Sequence, residues 1–367
     1  MRFTISRDAL LRPLQTVSGV VEKRQGMSVL ANILVESRED GLWLTGTDLE
    51  VELRARADLA SGEAGEVTLP ARKFVDLCRT LPEGAELEVQ TEEGRAVIRS
   101  GRTRFTLATI EAAEFPGTEA VAGGFELELE QRELRRLIEQ TQFAMAQQDV
   151  RYYLNGLLLE VENGRLRAVA TDGHRLAICD LERDIGAGNE SRQVIIPRKG
   201  VIELGRLVGD SDEPCRMVLN SSYVKVEAAD VTLTSKLIDG RFPDYERVIP
   251  KEGGKVIRAD RERLRQALVR TAVVSNEKYR GIRLQLEEDR LIATVNNPEQ
   301  EEAVEEVEVD FKGEPFEIGF NVGYLLDALG AIREETVEVS MTDANSSCLI
   351  RGVEDTSSRY VVMPMRL

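Results

Sequence analysis

The segment Leu166-Arg167-Ala168-Val169-Ala170-Thr171-Asp172-Gly173 reads as a β-strand that ends in an Asx turn and returns through Leu176, Ile178 and Asp180. The same figure occurs twice more. Leu42-Trp43-Leu44-Thr45-Gly46-Thr47-Asp48 leads into Val51, Leu53 and Ala55, and Leu291-Ile292-Ala293-Thr294-Val295-Asn296-Asn297 leads into Ala303 and Val304. The turn residues Asp48, Asp172 and Asn297 fall about 124 residues apart, which marks an internal threefold repeat.

Working outward, each copy opens with a short strand and an amphipathic helix. Phe3-Thr4-Ile5 precedes Asp8 to Leu14, Phe125 to Leu129 precedes Arg132 to Leu137, and Val256-Ile257 precedes Arg261 to Thr271. In the last of these, Leu264, Ala267, Leu268 and Thr271 keep helical spacing. A second helix follows the Asx figure. It starts after Pro70 and after Pro197, where the missing N–H of proline is harmless, and at Phe320-Asn321 in the third copy. Glycine-containing linkers, Gly117 to Gly124 and Ile249 to Gly254, separate the copies. The expected fold class is therefore α+β: three similar domains over 1–124, 125–252 and 253–367, each with about two helices and many antiparallel strands.

The chain of 367 residues is 42% hydrophobic, enough for packed cores, and no apolar run approaches the roughly 20 residues of a membrane helix. The N-terminus, Met1 to Asp8, lacks a signal-peptide core, and a cytoplasmic protein is expected. Cys78, Cys179, Cys215 and Cys348 are scattered, without metal-ligand spacing or a disulfide framework. The net charge of −17 argues against nucleic acid at first sight. Its distribution reverses that argument. The six helical segments (6–20, 71–80, 130–146, 197–206, 260–274 and 321–333) carry +7, leaving −24 on strands and loops. A basic helical face suits phosphates, while an acidic exterior repels them.

Catalytic patterns are missing from the sequence. The single histidine, His174, stands between Asp172 and Arg175 and reads better as part of a turn than as a general base. No nucleophile elbow, P-loop or zincin motif occurs, and Gly186-Ala187-Gly188 reads as a turn in a polar loop, since no helix of the right kind follows it as a dinucleotide fingerprint needs. The run Glu299, Glu301, Glu302, Glu305, Glu306 reads as a solvated strand edge. A binding protein is expected, with no cofactor and no metal. An enzyme centred on His174 and a scaffold that binds only proteins are the competing readings.

Specific motifs then narrow the choice. Gln148-Asp149-Val150-Arg151-Tyr152-Tyr153-Leu154-Asn155-Gly156, Thr171 to Leu176, Asp239-Gly240-Arg241-Phe242-Pro243-Asp244-Tyr245, Ser275 to Lys278 and Tyr360 to Leu367 closely resemble the β sliding clamps of bacterial DNA polymerase III. The likeness runs along the whole chain. It is looser at Glu22 to Gly26, which fits the family's basic loop only through Arg24.

The resemblance implies a non-catalytic processivity factor: two crescents joined head to tail into a ring, helices inside and sheets outside. Helices packed 8–10 Å apart favour two chains, since six would leave a hole of about 8 Å and twelve a hole of about 26 Å. The implied partners are duplex DNA of any sequence, the replicative polymerase, the clamp loader and other proteins carrying a clamp-binding motif. For DNA the resemblance points to Arg24, Arg72, Gln148, Tyr152 and Tyr153. For the dimer joint it points to Lys73, Phe105 and Leu107, near Arg102 and Arg104, against Val273, Val274, Glu299, Glu301, Glu302 and Glu305. For a pocket that takes partner peptides it points first to Leu154, Thr171, Gly173, His174, Arg175 and Leu176. Pro243, Arg247 and Val248 would form a second side, and Val361, Val362, Met363, Pro364, Met365 and Arg366 a third, with His174 and Arg175 as donors at the rim.

Overall fold

The computed structural model describes residues 1–22, 27–117, 123–162, 164–183, 191–250, 254–276 and 278–366. Arg24, the Gly186-Ala187-Gly188 loop, Glu277 and Leu367 lie outside them. Six α-helices occur among the described residues: α1 (Arg7–Ser18), α2 (Ala71–Thr80), α3 (Gln131–Thr141), α4 (Arg198–Leu207), α5 (Arg261–Ala272) and α6 (Val322–Ala331). They fall on the six segments read from periodicity. Local chemistry fixes their starts. The Ser6 hydroxyl accepts from Ala9 N–H at 3.2 Å, Asp260 accepts from Arg263 N–H at 2.8 Å, and Asn321 accepts from Gly323 N–H at 2.9 Å. In α3 the Glu133 carboxylate reaches back to Glu130 N–H at 2.8 Å. Leu10, Leu14 and Val17, on one face of α1, are fully buried.

Among the described residues all strand pairing is antiparallel, and the chain divides into two compact units. The first comprises Met1–Arg135 and Lys199–Leu237, the second Arg136–Arg198 and Ile238–Leu367. The first holds a five-stranded sheet, in the order Ser61–Gly62, Arg2–Ser6, Glu86–Glu92, Arg95–Ser100, Thr103–Ala108, and an eight-stranded sheet. The second holds another eight-stranded sheet and a four-stranded one, in the order Glu302–Glu308, Arg290–Asn296, Gly281–Glu287, Phe316–Asn321.

Each eight-stranded sheet is two half-sheets from successive repeats, zipped together. In the first unit Val231–Lys236 pairs with Val51–Ala57, with Leu233 opposite Leu53. In the second, Ser358–Val362 pairs with Arg175–Glu182, with Tyr360 opposite Ala177. The rule is the same both times: the closing strand of one repeat pairs with the strand that follows the Asx turn of the repeat before it. Even the flanking bonds correspond, Lys236 N–H to the Glu50 carbonyl at 2.8 Å and Met363 N–H to the His174 carbonyl at 2.9 Å. The remaining closing strand, Thr103–Ala108, and the remaining post-turn strand, Glu302–Glu308, both lie at sheet edges.

One ion-pair cluster pins α4 within the first unit. Asp48 is 1% exposed, and its Oδ1 accepts from Glu50 and Val51 N–H at 2.9 and 2.8 Å. Its Oδ2 accepts from Lys199 Nζ at 2.7 Å, and the same ammonium serves the Val20 carbonyl at 3.1 Å and the Glu22 carboxylate. Burial opposes charge on both partners, yet their hydrogen bonds hold the Asp48 carboxyl below its ordinary range and the Lys199 amine above its own.

Candidate functional site

The second unit contains a cleft of about 190 Å³ built on the Asx turn of the middle repeat. Thr171 Oγ1 donates to the Arg175 carbonyl at 2.5 Å and accepts from Gly173 N–H at 3.0 Å. Asp172 Oδ1 accepts from the N–H groups of His174 and Arg175 at 2.9 and 3.0 Å. Gly173 has φ +88°, a conformation that favours glycine, and a Cβ there would sit 2.9 Å from the Arg151 guanidinium, which would have to shift. Thr47 and Asp48 make the same turn in the first repeat, where Leu49 takes the glycine's place at φ +79°.

Leu154, Leu176 and Val361 form the apolar floor; all three are buried, and Leu176 and Val361 face each other across the repeat junction. One side is the turn itself, Thr171 to Arg175, with Arg151 and Tyr153 beside it. The other is the segment Pro243, Asp244, Tyr245 and Val248, from the stretch that leads into the third repeat. Met363, 38% exposed, closes the lining. A concave, mainly apolar cleft with a few polar groups at its edge suits an apolar side chain on an extended segment.

Of the residues expected at the pocket, ten line it: Leu154, Thr171, Gly173, His174, Arg175, Leu176, Pro243, Val248, Val361 and Met363. Five others do not. Val362 is 1% exposed within its strand, opposite Arg175 and Cys348. Arg247 extends into solvent on an ion pair with Asp244 at 2.6 Å. Met365 donates its N–H to the Gly319 carbonyl at 2.7 Å, which carries Pro364 to Arg366 away along the four-stranded sheet. The apolar chain end is thus partly strand, partly tail, and of the described residues after Val362 only Met363 lines the cleft.

Arg175 does not act as a free donor at the rim. Its Nε meets Asp172 Oδ2 at 3.0 Å, one Nη meets the Phe143 carbonyl at 2.6 Å, and the other meets the Asp327 carboxylate at 2.5 Å. Its guanidinium carbon also stacks 4.5 Å above the Tyr324 ring. A cation so fully engaged shapes the turn. His174 is exposed, and among the described residues its ring makes no hydrogen bond. Asp172 turns one oxygen to the N–H groups of His174 and Arg175 and the other to the Arg175 guanidinium, and among the described residues it makes no bond to the His174 ring. Sequence reasoning missed Arg151, Asp244 and Tyr245 as lining residues, although all three stood inside motifs that had been singled out. Arg151 is held by Asp149 through bonds of 3.0 and 2.8 Å and by the Asp172 carbonyl at 3.2 Å; Arg151 in turn holds the Asp149 carboxyl down at about 2.

Of the described residues expected at DNA, only Tyr153 lines this cleft, half-buried in its wall with Tyr152 edge-on at 5.7 Å. Tyr152 is 56% exposed, Gln148 is exposed with φ +58°, and Arg72 is exposed on α2. The residues expected at the dimer joint sit at the two edges. Phe105 and Leu107 are half-buried on Thr103–Ala108, with Arg102, Arg104 and Lys73 exposed. Val273, at the end of α5, is 80% exposed and Val274 half-buried. Glu299, Glu301 and Glu302 are exposed, whereas Glu305 is already paired with Arg270 at 2.6 and 3.0 Å.

A threefold-repeated α+β scaffold with a concave apolar cleft at a repeat junction is the architecture of a binding protein. The chain belongs to the DNA polymerase III beta subunit family, the non-catalytic sliding clamps that serve a DNA polymerase as processivity factor: the family's N-terminal, central and C-terminal domain models match residues 1–119, 128–244 and 246–366. The beta sliding clamp of Pseudomonas putida is 53% identical and that of Escherichia coli strain K12 51%, each over 368 residues and the full length of both chains. The crystal structure of the DNA polymerase III subunit beta from Pseudomonas aeruginosa superposes with a TM-score of 0.96 at 53% identity, and that of Caulobacter crescentus with 0.94 at 40%, again covering all of each chain. Among the described residues no helix is long and apolar enough to cross a membrane.

Proposed function

We propose that two copies of this chain close head to tail into a ring that encircles duplex DNA, slides on it without reading sequence, and tethers the replicative polymerase. The observation that carries this reading is the strand rule. Closing strands pair with post-turn strands twice within the chain, and the third such pair, Thr103–Ala108 and Glu302–Glu308, is left open at two edges. One chain closing this pair on itself would leave a hole of only about 8 Å, whereas two copies closing it twice leave about 26 Å, room for a duplex. Extending the rule sets Phe105 opposite Ala303 of the second copy, as Leu233 faces Leu53 and Tyr360 faces Ala177. Unpaired Arg102 and Arg104 would meet the acidic edge at Glu299, Glu301 and Glu302, and Val273 would supply apolar contact.

In this reading the three repeats, 1–124, 125–252 and 253–367, are the domains of the ring. Arg72, Gln148, Tyr152 and Tyr153, with Arg24, contact phosphate and sugar. The cleft takes short apolar segments from the polymerase, the clamp loader and other partners. Topological retention is the test. Protein loaded onto nicked circular DNA should stay through a gel-filtration column and run off once the circle is cut. Equal loss from circular and linear DNA would refute the ring.

A further inference from the structure

The wall of the cleft opposite the Asx turn is not part of any sheet. It is the stretch Pro243 to Val248, with a 3-10 turn at Tyr245–Val248, and Tyr245 packs with Leu158, Val169 and Ile178 of the eight-stranded sheet. A width set by such a stretch depends on what pins it down. Two aromatic side chains do so, Phe242 and Tyr245, 8% and 7% exposed and edge-to-face at 6.5 Å. Tyr245 goes further than packing. Its hydroxyl donates to the Glu160 carboxylate and accepts from Arg167 Nη1 at 3.1 Å.

Both partners are fixed in the sheet below. Glu160 and Arg167 are each 5% exposed and face each other across adjacent strands. Gln193 Nε2 holds the second Glu160 oxygen at 2.6 Å, and Asp180 grips Arg167 at 2.5 and 3.0 Å. Arg359 braces Asp180 from the next strand at 2.9 Å. A buried polar network of this kind specifies one geometry, because any displacement of the hydroxyl leaves buried charge short of a partner.

Resting on the reading of the cleft as a peptide site, we propose that Tyr245, anchored by Glu160 and Arg167, is the positioning residue that sets the width of the cleft and so its choice between small and large apolar anchors. The ring of Tyr245 lines the cleft while its hydroxyl lies in the network, so one side chain ties the wall to the sheet. Tyr245→Phe keeps the lining and cuts the tie. Glu160→Gln keeps an acceptor for the hydroxyl, and Glu160→Leu removes it.

The experiment uses the full-length protein and two short synthetic peptides, each with two apolar anchors, alike except for Leu or Trp at the terminal anchor. Affinities come from fluorescence anisotropy, and the folded mass of every variant from light scattering. Loss of one net hydrogen bond corresponds to about fivefold in binding. Tyr245→Phe and Glu160→Leu should weaken the Leu peptide by about that factor while shifting the Trp-to-Leu affinity ratio toward Trp by at least as much. Glu160→Gln should leave the ratio at the wild-type value. An unchanged ratio in Tyr245→Phe, or an equal loss for both peptides, would overturn the inference. Wild-type protein that binds neither peptide would instead overturn the peptide reading of the cleft.

Discussion

Val273 offers the sharpest test of the ring. It caps the C-terminus of α5 with 80% of its surface exposed, so truncating it removes almost nothing from the folded chain. A surface change of this kind alters monomer stability by about 0.5 kcal/mol or less. At a head-to-tail joint the same side chain is buried against the first repeat of the second copy. Val273→Ala removes two carbon groups, at about 0.8 kcal/mol each when buried, or roughly 1.6 kcal/mol per joint. A closed ring has two joints, and both must open to release a monomer, so the loss doubles to about 3 kcal/mol. That is a rise of roughly 200-fold in the dimer dissociation constant. Sedimentation velocity over a dilution series reads it directly, and differential scanning calorimetry at high concentration monitors the fold. A dimer constant within threefold of wild type, or a lowered melting temperature in a sample that is already monomeric, would refute the placement of Val273 at the joint.

Lys199→Met should lower the first unit's melting temperature by about 5–10 °C. It takes the ammonium away from buried Asp48, a loss of about 2–3 kcal/mol, less than for a fully buried pair because Lys199 is 27% exposed. The wild-type Asp48 carboxyl sits below its ordinary range, so its contribution is present above the unfolded pKa and lost as pH falls through the lowered folded value. Acid melting curves should therefore converge for wild type and variant, and parallel curves down to pH 2 would contradict the pairing. Arg72→Ala should weaken DNA binding equally on unrelated duplexes and reduce the slope of log K against log salt by about one; an unchanged slope removes Arg72 from the phosphate contacts. Deleting 363–367 should abolish peptide binding by calorimetry while the dimer persists. The cut belongs after Val362, because that residue is built into its sheet. Wild-type affinity in the truncated protein would remove Met363 from the cleft.

Local chemistry carries much of this protein. The alternation around Asp48, Asp172 and Asn297, the helical spacing of Leu10, Leu14 and Val17, and the caps Ser6, Asp260 and Asn321 act over a few residues, so they are legible in one dimension. The same local signals announced the threefold repeat, and the motifs from Gln148 and Thr171 onward identified the family. What they could not state is which edge meets which. Leu233 pairs with Leu53, and Val361 with Leu176, across some 180 residues of chain, and that choice depends on register and on the edges left open once each half-sheet has formed. The cleft exists only because of the second pairing. The fate of individual side chains was decided there too: Tyr153 became a wall, Val362 a buried strand residue, Tyr245 a tether between wall and sheet. Arg175, which the motif suggested as a donor for a ligand, is occupied by Asp172, Asp327, Phe143 and Tyr324. A guanidinium is satisfied by whatever acceptors surround it in space, and three of these four come from elements distant in the sequence.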